Sequence, residues 1–298
     1  MANGLTLSTT SNLSDGSKEL IRNAMIAFEP AAPDPDLWTS DMLVDGHDTR
    51  NIQTMARLTQ AAPATEGVDV GQVEQLVSTT LKIDPTEHAI LVTLSSRAIR
   101  RQGDQSLQGT AGTQMAVAQR ERQAKDMIAL YDGFSKSIVG ASAAIDVTHF
   151  RGAVAYLLTD NNTSYGPAPM PLIAALHIEQ ISDIIVDISD AGTAAGARPA
   201  GFGVDLLQRW WKGNDRLYGV QIFHSGYIAR NSGGDAKGAI GNSGALVLVD
   251  EGPDEVGEDV DRSHRVTEFS FVKSWGEGER ADPHGVEVFS DASSTVGA

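Results

Sequence analysis

Two glycine-rich stretches, a histidine–serine pair, a run of carboxylates and a tryptophan pair are where this 298-residue chain could do chemistry. Gly233 to Gly244 has the glycine density of a loop that cradles phosphates. Such a loop ends in Gly-Lys-Ser/Thr, whereas here Lys237 is followed by Gly238 and Ala239. Gly201-Phe202-Gly203 opens like a dinucleotide fingerprint but puts Leu206 where the third glycine belongs. Both stretches read better as connections between elements. His224-Ser225 could supply a base and a nucleophile to a remote carboxylate, yet no G-x-S-x-G elbow surrounds the serine. The seven histidines are scattered, without H-E-x-x-H or a close pair to hold a metal. With no cysteine there is no thiol nucleophile, thiolate zinc site or disulfide. Asp250 to Asp261 carries seven acidic residues and no basic one, but its spacing around Gly257 does not fit a calcium-binding EF-hand loop. It reads as a solvated acidic loop, and Trp210-Trp211 as the core anchor of a helix. No catalytic, cofactor-binding or metal-ligating residue is expected, and the chain does not read as an enzyme.

Composition sets outer bounds. Hydrophobic residues are 41% and charged residues 21%, enough for one large domain or two modest ones with a real core. The net charge of -16 opposes a dedicated nucleic-acid binder, which needs clustered Lys and Arg to displace counterions from phosphates. It leaves room for a container whose weakly repulsive wall lets enclosed DNA slide. The N-terminal stretch lacks the basic and apolar regions of a secretory signal, and no run of eighteen apolar residues occurs, so no membrane partner is expected. Lack of cysteine fits a reducing cytoplasm.

The elements that would position these groups follow from periodicity. Residues 1 to 50 hold one short amphipathic stretch, Lys18 to Phe28, and then Pro30, Pro33 and Pro35, so they read as an extended arm that packs on something else. Residues 51 to 101 read as a long hairpin with an acidic tip near Glu66 and Asp69, including the β-branched run HAILVTLSSRAI. From 104 to about 139, Leu107, Ala111, Met115, Ala118, Met127, Tyr131, Phe134 and Ile138 recur at helical spacing, with Arg120, Glu121, Arg122, Lys125 and Asp126 facing elsewhere. A helix follows over Ala141 to Thr159, a strand over Leu172 to Leu176, a short helix over Ile178 to Asp187 and a small-residue loop over Asp190 to Gly203. Two closing strands, VTEFSFVKSW and HGVEVFSD, complete the pattern.

Taken in order, TEGVDVGQVEQLVSTTLKI, QMAVAQRERQAKDMIALYDGFS, PLIAALHIEQISDIIVDI, LYGVQIFHSGYI and EFSFVKSWGEGERADPHGVEVF give an α+β chain that resembles the Hong Kong 97-type fold of tailed-bacteriophage major capsid proteins. The resemblance implies an N-terminal arm over 1–50 and an E-loop hairpin over 51–101. It implies a P-domain over 102–149 and 249–298, containing a long spine helix and the closing strands, and an A-domain over 150–248. It further implies self-assembly of hexamers and pentamers into an icosahedral shell around double-stranded DNA, which is enclosed without sequence-specific binding. The shell would be built in the host cytoplasm and end in the virion. About 60 residues before the hairpin tip leave no room for a fused scaffolding segment, so a separate scaffolding protein is expected, with a portal and decoration proteins as further partners. The same fold serves encapsulins, nanocompartments that enclose an enzyme, which is the alternative reading.

The candidates for inter-subunit contact are Glu66, Asp69 and Lys82 on the hairpin, Arg97, Arg100 and Arg101 at its base, and Asp254 and Glu255 in the acidic run. The arginines of one copy are expected to face the carboxylates of another, each exposed pair contributing little alone.

Overall fold

A computed structural model describes residues 33–43, 47–58, 66, 74–95, 97, 107–160, 164–194, 216–252, 254–261 and 263–293. The longest helix, α2 (Leu107–Ala129), follows the short α1 (Asp34–Leu37) and ends in a 3-10 turn over Leu130–Gly133. Its Met115 packs with Leu94, Phe269 and Phe271, while Met127, Tyr131 and Phe134 reach a second apolar cluster around Trp275 and Leu246. The polar side is the surprise. Gln119, Arg120 and Gln123 are buried, and Ala118 is exposed. Each finds a polar partner: Gln119 Nε2 donates to the His88 carbonyl at 2.7 Å, Arg120 pairs with Asp36, and Gln123 donates to Asp250 at 3.3 Å. Ile138 lies beyond the helix, in the short strand β5 (Ser137–Val139), because the 3-10 turn and an extended Phe134 end the helical run.

α2 lies against a five-stranded sheet formed by β1 (Thr39–Met42), β4 (Thr86–Ser95), β10 (Leu246–Asp250), β11 (Glu255–Asp261) and β12 (Val266–Glu279). Fourteen-residue β12 is its axis: the first part runs between β4 and β11, the last part beside β10, and β1 is parallel to β10. Two expectations change here. The acidic run is not wholly a loop, since Glu255–Asp261 pairs antiparallel with Val266–Val272. Its charges suit the edge of a sheet, where they discourage pairing with another chain. The β-branched run of residues 86 to 95 belongs to this sheet, through ten pairs with β12, rather than to the hairpin.

The second sheet has six strands in the order β5, β13 (Gly285–Asp291), β9 (Asp235–Asn242), β6 (Leu172–Leu176), β8 (Val220–His224) and β7 (Arg216–Leu217). The closing strands β12 and β13 therefore lie in different sheets and do not pair with each other. β9 occupies the stretch expected to be a glycine-rich connection. Its small residues serve close packing: a Cβ on Gly238 would sit 2.7 Å from the Ala175 carbonyl, and one on Gly241 would sit 2.7 Å from that of His284. Fully buried β6 is flanked by α3 (Val147–Leu158), which starts later than residue 141, and α4 (Ile178–Ala194), which runs past Asp187. Asp146 fixes the start of α3 by accepting from the His149 amide at 2.6 Å. Phe150, Leu157, Ile184 and Leu172 form the core of this half.

A two-stranded hairpin, β2 (Arg50–Met55) and β3 (Ser78–Ile83), stands apart from both sheets. Only its root is buried, where Ile52 and Ile83 join Leu43, Val247 and Val249. Two glycines of β12 make the seat: a Cβ on Gly276 or Gly278 would lie 2.6 or 2.9 Å from Ile83.

Candidate functional site

The histidine–serine pair is split between surface and interior. Ser225 is buried and His224 is exposed, as neighbours at the end of a strand point to opposite sides. The serine's partner is Asp34, 191 residues away in sequence: Ser225 Oγ donates to Asp34 Oδ2 at 2.6 Å. Tyr131 donates to the other carboxylate oxygen at 3.1 Å and accepts from Trp38 Nε1 at 3.1 Å. Burial pushes the Asp34 carboxyl up, against the pull of Ser225, Tyr131 and Arg120. This network plugs residues 34 to 38 into the body, so the end of the expected arm has an anchor of its own. Asp34 carries no signal of this role in the sequence, where it lies in a turn-like Pro-Asp-Pro-Asp stretch. Among the described residues, no group of three or more His, Asp or Glu is arranged to hold a metal, and no helix is long and apolar enough to cross a membrane.

The surfaces that could meet another molecule lie elsewhere. At the distal end of the described hairpin, Met55, Leu58, Leu76 and Val77 are 51 to 63% exposed. They are close together, because Met55 opposes Ser78 and the Ala56 amide donates to the Val77 carbonyl. A large apolar group on a two-stranded projection marks a contact site more often than a stable free surface. Below it, Arg57 ties the hairpin to the loop after α3. Its Nη1 donates to both carboxylate oxygens of Asp160 at 2.8 Å, and its amide donates to the Ser164 carbonyl at 2.7 Å. Arg50 grips Asp41 of β1 through Nε and Nη2.

Of the residues singled out for inter-subunit contact, Glu66, Lys82, Arg97, Asp254 and Glu255 are exposed. Lys82 is paired with Asp84 at 2.9 Å, and Lys273 lies 3.7 Å from both Asp250 and Asp254. The acidic stretch thus has an internal counter-charge. The described residues do not bring the arginine and carboxylate groups together within one subunit. Asp69, Arg100, Arg101, Trp210-Trp211, Gly201 to Gly203 and the Lys18 to Phe28 stretch lie outside the described residues. Farther along the chain, Glu279 is raised to about 7 by partial burial and by hydrogen bonding with Asp282.

No protein-family model matches the chain, and no curated protein does. Solved structures do. The capsid of Ralstonia phage GP4 is 12% identical with a TM-score of 0.68, covering 88% of this chain and 89% of that one. The head structure of Helicobacter pylori bacteriophage KHP40 gives 11%, 0.66, 85% and 87%. The acidic stable capsid structure of Helicobacter pylori bacteriophage KHP30 gives 11%, 0.64, 98% and 95%. At such identities the shared property is the architecture: this chain has the mixed helix-and-strand fold of bacteriophage capsid and head structures.

Proposed function

We propose that the chain is a tailed-phage major capsid protein of the Hong Kong 97 type. In this reading it self-assembles, as hexamers and pentamers, into an icosahedral shell around double-stranded DNA. One observation carries the reading: the likeness to a phage capsid runs along 88% of this chain and 89% of the other, with a TM-score of 0.68. Chemistry is consistent with it. A net charge of -16 suits a wall that encloses DNA without gripping it, and the exposed Met55, Leu58, Leu76 and Val77 of the hairpin suit a partner.

On this reading β2–β3 is the E-loop and residues 1–50 form the arm. α2 belongs to the P-domain of 102–149 and 249–298, with residues 150–248 as the A-domain; β13 crosses from the first into the sheet of the second. The protein acts structurally, not as an enzyme. Its further partners are a separate scaffolding protein, a portal and decoration proteins, and its place is the virion after assembly in the host cytoplasm. Glu66, Asp69, Lys82, Arg97, Arg100, Arg101, Asp254 and Glu255 contribute charged contacts between copies.

The test is electron microscopy with light scattering on the purified protein, alone and with the other proteins of its source. Closed shells filled with DNA carry the proposal. A chain that stays monomeric at every concentration, even with the full set of source proteins, overturns it.

A further inference from the structure

The hairpin is joined to the body at two levels. At its root, Ile52 and Ile83 sit over the Gly276 and Gly278 seat. Farther out, Arg57 is the tie. Its guanidinium lies against Gly166, where an added Cβ would be 3.0 Å from Nη1, and Gly166 has a φ of 73°, which also favours glycine. The loop receiving Arg57 is itself fixed. Tyr165 meets His284 edge-on at 5.8 Å, the Ala168 amide donates to the Leu157 carbonyl, and Asn242 Nδ2 donates to the Pro169 and Pro171 carbonyls. With this tie closed, Met55, Leu58, Leu76 and Val77 are still exposed.

We infer that Arg57 is a positioning residue for assembly, one that pre-orients the hairpin so that Met55, Leu58, Leu76 and Val77 are presented to a second copy of the chain. The inference rests on the shell reading above. It follows from what the tie does and does not cover: it restrains the direction of the projection and leaves Met55, Leu58, Leu76 and Val77 exposed. A hairpin held only at its root would have to be ordered during association, and fixing it beforehand removes that cost. An exposed ion pair is weak by itself, so the backbone bond to Ser164 and the Gly166 platform are needed to make the restraint effective.

The experiment uses Arg57→Ala, Asp160→Ala and Arg57→Lys in the full chain. It measures amide exchange at Arg57 in unassembled subunits and the threshold protein concentration for shell formation. Either alanine variant is expected to speed Arg57 amide exchange and raise the threshold roughly two- to five-fold, with the thermal midpoint of the subunit unchanged. Arg57→Lys is expected to restore the threshold, because a single nitrogen makes both contacts to Asp160. Unaltered thresholds in both alanine variants, or failure of lysine to rescue, overturn the role of Arg57 while the unaltered chain still forms shells. If the unaltered chain forms none under any of these conditions, the shell reading fails and this inference falls with it.

Discussion

Replacing Asp34 with alanine removes the acceptor from two buried hydroxyls, Ser225 Oγ and Tyr131 Oη. Each orphaned donor in so closed a site costs about 1–3 kcal/mol. Against this stands relief from desolvating a carboxylate, the largest influence on Asp34, which pushes its pKa up. The balance is a loss of about 2–4 kcal/mol. Asp34→Asn keeps one acceptor oxygen for two donating hydroxyls, so it leaves one of them unpaired and should cost about 1–3 kcal/mol, less than Asp34→Ala. Thermal unfolding of the unassembled subunit, followed by circular dichroism, should put Asp34→Ala below Asp34→Asn, a gap of roughly 2–4 °C. The pH dependence has a definite sign. The folded-state pKa of Asp34 is above its ordinary value of 3.8, so its contribution to stability is complete below that value and is lost as pH rises through the raised one. The unaltered protein must therefore gain on Asp34→Asn as pH falls through this window. Equal midpoints for the two variants, or a gain with rising pH, would refute the idea that this network anchors residues 34 to 38.

Three more outcomes follow from the geometry. Glu279, raised to about 7, adds stability that is full below its ordinary 4.5 and fades as pH rises through 7; Glu279→Gln should flatten the midpoint-versus-pH curve over that interval, as read by parallel melts. Gly238→Val places carbon against the Ala175 carbonyl and Leu176 and should destabilise the six-stranded sheet by about 1–3 kcal/mol, measured by urea unfolding. Charge reversal at Arg100 and Arg101 together should weaken shell formation in light scattering while the subunit keeps its melting midpoint; normal shells would remove these residues from the contact.

The parts of the fold that could be read in the sequence are those where composition and burial agree. Leu172–Leu176 is an apolar run and a fully buried strand, and the helical spacing of Met115, Met127 and Tyr131 matches the buried side of α2. Reading failed where close packing uses residues that resemble loops. β9 carries Gly238 and Gly241 because neighbouring backbones leave no space for a Cβ, and that constraint comes from residues far away in the chain. Charge misled in the same way at Glu255–Asp261, an edge strand whose pairing with β12 tolerates acidic side chains. Arg120, expected on the polar face, is buried because its partner Asp36 comes from a distant segment, as do His88 and Asp250, the partners of the buried Gln119 and Gln123. Of the proposed contact surface, the hairpin is legible in the sequence, whereas the exposure of Met55, Leu58, Leu76 and Val77 is not. Arg57 was also missed, since nothing local links it to an aspartate 103 positions later.

The order in which the strands pair has a consequence for synthesis. β1 pairs with Thr39↔Val247 as its first contact, β4 with a strand that starts at Val266, and β5 with one that starts at Gly285. A nascent chain leaving the ribosome can complete its helices early, but it can close neither large sheet until β12 and β13 have emerged. Edges that would otherwise seek a partner must wait for more than a hundred residues of further translation. Chains interrupted before β12 therefore lack the Gly276 and Gly278 seat on which the root of the hairpin rests.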